Sequence, residues 1–270
     1  MMRAMFSAIS GLRVHQAMLD VTANDIANVN TVGYKGERTS FKDALSQMQK
    51  GASAATSTLG GTNAAQVGLG VQMSSIDNQM SPGAIQSTGN TFDLAIQGDG
   101  WFRVTDDPTG FSRTYYTRAG NFSRDANGDL VTPEGYYLVG RTAGGADTKI
   151  TVPATVDSAN VGQNGDVITV TAGVSTVAAT INLAKFPNDN GLQRMSGNKF
   201  QQSQNSGAPT VLAPGVSGAG LVTPGAVEMS NVDLAQEFTN MITAQRGFQA
   251  NSRVISAADE MLQELVNLKR

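Results

Sequence analysis

The sequence predicts an α+β protein with helices at its two ends and a β-rich stretch between them. Three observations carry this. Apolar residues recur every three to four positions at both ends of the chain, they alternate every second position through the middle, and glycine is plentiful (30 of 270 residues) where charged residues make up only 15%. The first pattern is helical and the second is that of half-buried strands. The composition suits hairpins and turns better than an all-helical body.

At the N-terminus Met2, Met5, Ile9, Leu12, Gln16, Leu19, Ala23 and Ile26 keep the alternating three–four spacing of a heptad stripe, with Gln16 as its polar member. At the C-terminus Leu234, Phe238, Met241, Gln245, Phe248, Ser252, Ile255, Asp259, Leu262 and Val266 follow the same rule for longer. Ser230 and Asp233 stand at capping-box spacing ahead of this second helix, Glu237 falls in its early turns, and Lys269 and Arg270 close it, which suits the helix dipole. At about 1.5 Å per residue the helices would be about 40 and about 55 Å long. Two arrangements fit this pattern: separate amphipathic helices packed on a domain, or a coiled coil of first and last segments with the middle looped out. Polar stripe positions (Gln16, Gln245, Ser252, Asp259) weaken an isolated pair and suit a larger bundle.

Between the ends, "FDLAIQGDGWFRV" gives two alternating runs around Gly98-Asp99-Gly100. "FSRTYYTR", "NFSRD", "DLVT" and "GYYLVG" continue as strands divided by turns such as "DDPTG" and "ANGD", and "TKITVPA", "DVITVTAG" and "VAATINLAKF" form a second set. Residues 51–63 are poor in bulky side chains, and residues 201–225 contain Pro209, Pro214 and Pro224; both read as extended or flexible linkers.

Several functions are disfavoured at this point. The chain has no cysteine, hence no disulfide or thiolate metal site, and a formal net charge of −3 gives no bulk attraction to nucleic acid or anionic membrane. No run of 18 apolar residues predicts a membrane span, and Arg13, His15 and Gln16 interrupt the N-terminal apolar run too early for a cleaved signal peptide. The single histidine, His15, flanks the helical stripe with no nucleophile–base partner in the sequence nearby, so no catalytic residue, cofactor site or metal site is expected. "DANGDL" (125–130) fails as a calcium loop, having Leu130 and Tyr136 where glycine and glutamate are required; it reads as an Asn127-Gly128 hairpin turn with both central residues left-handed. Trp101, Phe102, Tyr115, Tyr116, Tyr136 and Tyr137 could form a sugar platform, but adjacent aromatics on strands are expected to divide between a core face and an outer face.

The stretch "NDIANVNTVGYKGERTSF" (24–41), where the first helix gives out, resembles the signature of the bacterial flagellar rod and hook proteins, with Asp25 standing where that family commonly has asparagine. "GGTNAAQVGLGV", "FDLAIQGDGWFRV", "YTRAGNFSRDANGDLVTPEGYYLVG", "LAKFPNDNGLQRMSGNKF" and the closing "EMSNVDLAQEFTNMITAQRGFQANSRVISAADEMLQELVNLKR" resemble the same family in order, so the resemblance spans essentially the whole chain. Within the family, "GGTNAAQVGLGV" and "LVNLKR" point to a short-form hook protein first. The chain's size and "SGAP" point to the distal rod protein second, and a secreted adhesive or glycan-binding protein is the remote alternative.

The resemblance implies an exported, self-assembling subunit of the basal body or hook, without enzymatic activity. Residues 1–30 and 230–270 would pair as a coiled-coil-like inner domain lining a tube, 31–74 would be an extended arm, and 75–229 a β-rich outer domain with its return linker. Met5, Ile9, Leu12, Leu19, Ile26, Leu234, Phe238, Met241, Phe248, Ile255 and Leu262 are then the expected assembly interface. Asn24, Ile26, Ala27, Asn28, Asn30, Gly33 and Tyr34 are the signature joint. The amides would serve the end of the helix or a neighbouring subunit, Gly33 would supply the left-handed turn that stops the helix, and Tyr34, Lys35, Glu37 and Arg38 would open a polar outer arm. The implied partners are further copies of the chain, other rod, hook-cap and junction proteins, and the flagellar export apparatus, with no nucleic acid and no membrane insertion. The implied location is outside the cell, reached without a cleaved signal peptide.

Overall fold

A computed structural model describes residues 2–55, 60–142, 144–153 and 155–268; Lys269 and Arg270, expected to close the second helix, lie outside this range. The chain divides into two compact units, residues 1–27, 37–78 and 233–270 in one and residues 28–36 and 79–232 in the other.

In the first unit helix α1 spans Met2–Ala27 and α2 spans Leu234–Leu268, packed against each other over much of α1. The pairing is antiparallel: Gly11 faces Asn251 and His15 faces Gly247, so α2 numbers fall as α1 numbers rise. The expected heptad period is present in α1, but its phase is shifted by one residue. The buried residues are Ala8, Gly11, Val14, Thr22 and Asp25 on α1 and Ala244 and Ala258 on α2. Small side chains let the two backbones approach closely; a Cβ on Gly247 would lie 2.5 Å from the His15 ring, and one on Gly11 2.7 Å from the Asn251 amide. Bulkier residues are therefore turned to the flanks.

Asp233 caps α2, its Oδ1 accepting the N–H groups of Ala235 (2.8 Å) and Gln236 (3.4 Å), whereas Ser230 accepts only from Val232 just upstream. The arm of this unit is a long hairpin. Glu37–Asp43 pairs with Val71–Asn78, and Ser46–Lys50 pairs with Ala65–Gly68. Ser10 Oγ accepts the Val71 N–H at 3.2 Å, and Phe41 meets His15 edge-on, so the base of the hairpin lies along α1.

In the second unit the strand Trp101–Thr105 is buried throughout. Thr114–Thr117 pairs with it on one side, and Tyr137–Arg141 and Leu183–Lys185 pair with it at its two ends. Alternation then sends neighbouring aromatics into two different cores. Phe102 and Val104 join Leu94, Leu138, Ile181 and Val222, while Trp101 packs with Phe200 and Leu192. Likewise Tyr115 stands edge-on to Tyr136 and Tyr116 to Phe186. At Trp101 and Phe102 the outer aromatic face expected from the sequence is absent, because both side chains are buried, whereas Tyr115 and Tyr136 stay half-buried beside the buried Tyr116.

Residues 201–225 are folded onto the β body of this unit, in two separate sheets. Thr210–Leu212 pairs with Leu183–Lys185, Leu221–Pro224 pairs with Leu94–Gln97, and Ser206 and Val222 are fully buried. At 125–129 only Gly128 is left-handed (φ 89°); Asp125 Oδ1 accepts the N–H groups of Asn127 and Asp129, which fixes the turn without a positive φ at Asn127.

Candidate assembly interface

The signature residues fall in both units. Asn24, Ile26 and Ala27 end α1, and Asn28, Asn30, Gly33 and Tyr34 belong to the second unit. Within that unit Asn28 ties a local turn, its side chain accepting from the Thr31 hydroxyl at 3.1 Å and its carbonyl from Thr31 N–H. Asn30 is exposed. Gly33 lies six positions beyond the end of α1, so it does not stop the helix. Its φ is 67°, and a Cβ on it would stand 2.3 Å from the Ala119 backbone, so the missing side chain lets the segment lie flat on the β body.

Lys35, expected in a polar outer arm, is instead completely buried. Its Nζ donates to Glu228 Oε1 (2.6 Å) and to the Ser81 carbonyl (2.8 Å). Glu228 is buried as well; Oε1 also accepts Gly83 N–H, Oε2 accepts Arg118 (3.2 Å), and its backbone carbonyl accepts Gly33 N–H (2.7 Å). Burial pushes the Lys35 amine below the usual lysine range, against the opposing pull of Glu228. Further ties close the clamp. Arg194 donates to the Lys35 carbonyl at 2.6 Å and stacks over the Tyr34 ring, Asn198 donates to the Val32 carbonyl, and Asn231 accepts Gly36 N–H. These partners were not legible as a set, because Lys35 and Glu228 are 193 positions apart. The one available signal was Glu228 and Asn231 within the closing "EMSNVD".

The expected interface residues form a graded set. On α1, Met5, Ile9, Leu12, Leu19 and Ile26 are half-buried flanks of the seam; on α2, Met241, Ile255 and Leu262 are half-buried, while Leu234, Phe238 and Phe248 are exposed. Exposed apolar side chains continue along the first unit at Met2 and Phe6 of α1, at Ile242, Val254, Met261, Leu265 and Val266 of α2, and at Leu45, Met48 and Leu69 of the hairpin. Near the start of α2, burial raises the Glu237 carboxyl above its ordinary value, and the neighbouring Asp25 and Asp233 add to this while Asn240 opposes it.

Among the described residues no three histidine, aspartate or glutamate side chains gather where they could hold a metal, and no helix is long and apolar enough to cross a membrane. A cavity of about 450 Å³ beside the clamp is lined by Asn28, Thr31, Glu134, Asn198 and Lys199, with Lys199 paired to Glu134.

Three segments match flagellar families. Residues 5–35 match "Flagella basal body rod protein", 95–169 match "Flagellar hook protein FlgE/F/G D1 domain", and 223–268 match "Flagellar basal body rod FlgEFG protein C-terminal". The chain is 48% identical over 272 aligned positions to the flagellar basal-body rod protein FlgG of Bacillus subtilis, with 100% of both chains covered. It belongs to the bacterial flagellar rod and hook axial proteins. The FlgG protein of Agrobacterium fabrum is 37% identical over 96% of this chain and 97% of its own length. The flagellar hook protein FlgE of Borreliella burgdorferi is 27% identical over an alignment of 445 positions that covers 100% of both. As a member of this family the chain is a structural subunit of the flagellar axis.

Proposed function

We propose that the chain is a distal rod subunit, which assembles with copies of itself into a straight helical tube that transmits torque and encloses the export channel. The observation that carries this reading is the full-length match at 48% identity to a protein named as basal-body rod. The hook, favoured on the short motifs, is less well supported: the hook relative is less similar, and its alignment to this 270-residue chain runs to 445 positions. The role is mechanical and non-catalytic.

In this reading the assembly interface consists of α1 residues Met5, Ile9, Leu12, Leu19 and Ile26 with α2 residues Leu234, Phe238, Met241, Phe248, Ile255 and Leu262, the flanking positions that the α1–α2 seam leaves partly or largely uncovered. Apolar surface of this extent on a slender helix pair is what neighbouring helices cover in an assembly. The hairpin, with Leu45 and Met48 exposed and no buried side chain among its described residues, gains support in the same way. Neighbours along the axis and the export apparatus are the remaining partners, and the tube lies beyond the cytoplasmic membrane. Electron microscopy of polymers grown from purified protein tests the reading. Straight, stiff tubes are expected, curved and flexible ones would restore the hook, and persistent monomers would remove the polymer altogether.

A further inference from the structure

The uncovered apolar residues of α2 are not spread evenly around it. Near its start, Leu234 and Phe238 are exposed, and near its end Met261 and Leu265 are, each by two-fifths to one-half of its surface. From Phe238 to Leu265, and equally from Leu234 to Met261, the helix makes about seven and a half turns at about 3.6 residues per turn. The two patches therefore point in opposite directions, about 40 Å apart along the axis at about 1.5 Å per residue. Beside the second patch, a notch of about 400 Å³ lined by Asp259, Leu262, Gln263, Val266 and Asn267 continues the line of the seam.

Patches on one face would suit a two-fold dimer, in which each copy offers the same surface. Two different patches on opposite faces and at opposite ends suit copies related by a shift along the axis, because the end of one helix then overlaps the start of the next side by side. A single shift brings Leu265 level with Phe238 and Met261 level with Leu234 at once. We propose that the Met261–Leu265 patch of α2 docks against the Leu234–Phe238 patch of α2 in a second copy, a parallel head-to-tail contact that recurs along the polymer. This rests on the polymer reading above and names the contact that propagates it.

The absence of cysteine from the chain makes the test direct. Full-length Leu265→Cys and Phe238→Cys proteins are mixed, polymerised and oxidised, then dissociated and run without reductant. The expected result is a disulfide dimer from the mixture, little from either variant alone, and a ladder of higher multimers from a chain carrying both cysteines. Met261→Cys with Leu234→Cys should behave in the same way and serves if one of the first cysteines stops assembly. Sedimentation of the unmodified chain is run alongside. Polymer without any mixed dimer from either pair overturns the contact while leaving the rod reading intact, and dimers from Leu265→Cys alone overturn it in favour of an end-to-end symmetric contact. Failure of the unmodified chain to sediment as polymer removes the rod reading and the contact with it.

Discussion

Glu228 shows how a single side chain can hold the signature segment in place. It is fully buried between Lys35 and Arg118, and its carboxylate also receives a backbone N–H from Gly83. Removing the carboxylate strands two buried cations without a counter-charge, whereas removing the Lys35 amine leaves Glu228 still paired with Arg118 at 3.2 Å. Glu228→Ala should therefore destabilise the second unit by about 3–5 kcal/mol in a urea melt, and Lys35→Met by clearly less. Equal losses from the two would mean that the clamp acts by packing and not by charge. Gly33→Ala tests the backbone side of the same clamp: with φ at 67° and main-chain atoms 2.3 Å from the added carbon, no side-chain movement can relieve the contact. The loss should exceed the roughly 1 kcal/mol of an ordinary glycine-to-alanine change at a left-handed position.

At the scale of elements the α1–α2 pair depends on how closely two small-residue faces can approach. Alanine is the better helix former by about 1 kcal/mol, so Gly11→Ala, which meets only the movable end of Asn251, should be close to neutral. Gly247→Ala meets the whole His15 ring and should weaken the pair by about 1–3 kcal/mol, as overpacking does. His15→Ala in the same chain should restore it, with loss of helical circular dichroism in heated polymer as the measure. Glu237 adds a pH dependence. Its folded carboxyl binds a proton more readily than the ordinary value of 4.5, so its contribution is most favourable below that value and is lost as pH rises through the raised one. Glu237→Gln should accordingly raise the helical melting temperature relative to wild type near neutral pH, and the difference should vanish by about pH 4.

The same pair shows what the sequence could and could not disclose. Its period was plain from residues such as Ile9, Leu12 and Leu19, and so were both helices and most strands of the middle. The phase was hidden, because a reading by hydrophobicity selects leucine and phenylalanine, while apart from Val14 the buried seam consists of small or polar residues such as Ala8, Gly11, Thr22 and Ala258, which hydrophobicity ranks low. The Lys35–Glu228 clamp was hidden for a different reason: nothing local marks a lysine for burial when its partner lies 193 positions away.

At the scale of the whole molecule the two units differ in what sustains them. The second unit has two apolar clusters of its own. The helix pair buries mainly alanine, glycine and polar residues and leaves its large side chains outside, so its order should depend on neighbours in the polymer. Limited proteolysis should remove both termini from the free monomer and spare residues 79–232; equal resistance of the termini in the monomer would contradict this. Phe248 makes the dependence measurable. It is 38% exposed although it lies midway along α2, so α1 covers it only in part. If neighbouring copies cover the rest, each subunit that joins the polymer gains part of the roughly 1.5–3 kcal/mol available from burying such a side chain. At about 1.4 kcal/mol per decade, Phe248→Ala should raise the critical concentration by about tenfold or more. The second unit should melt as before, since Phe248 belongs to the other unit. The two measurements are made on one preparation, with sedimentation giving the polymer yield and calorimetry of the monomer giving the melt. Lost polymer with an unchanged melt is the expected outcome. Full polymer yield would show that the exposed face of Phe248 remains exposed after assembly, and would take this part of α2 out of the interface.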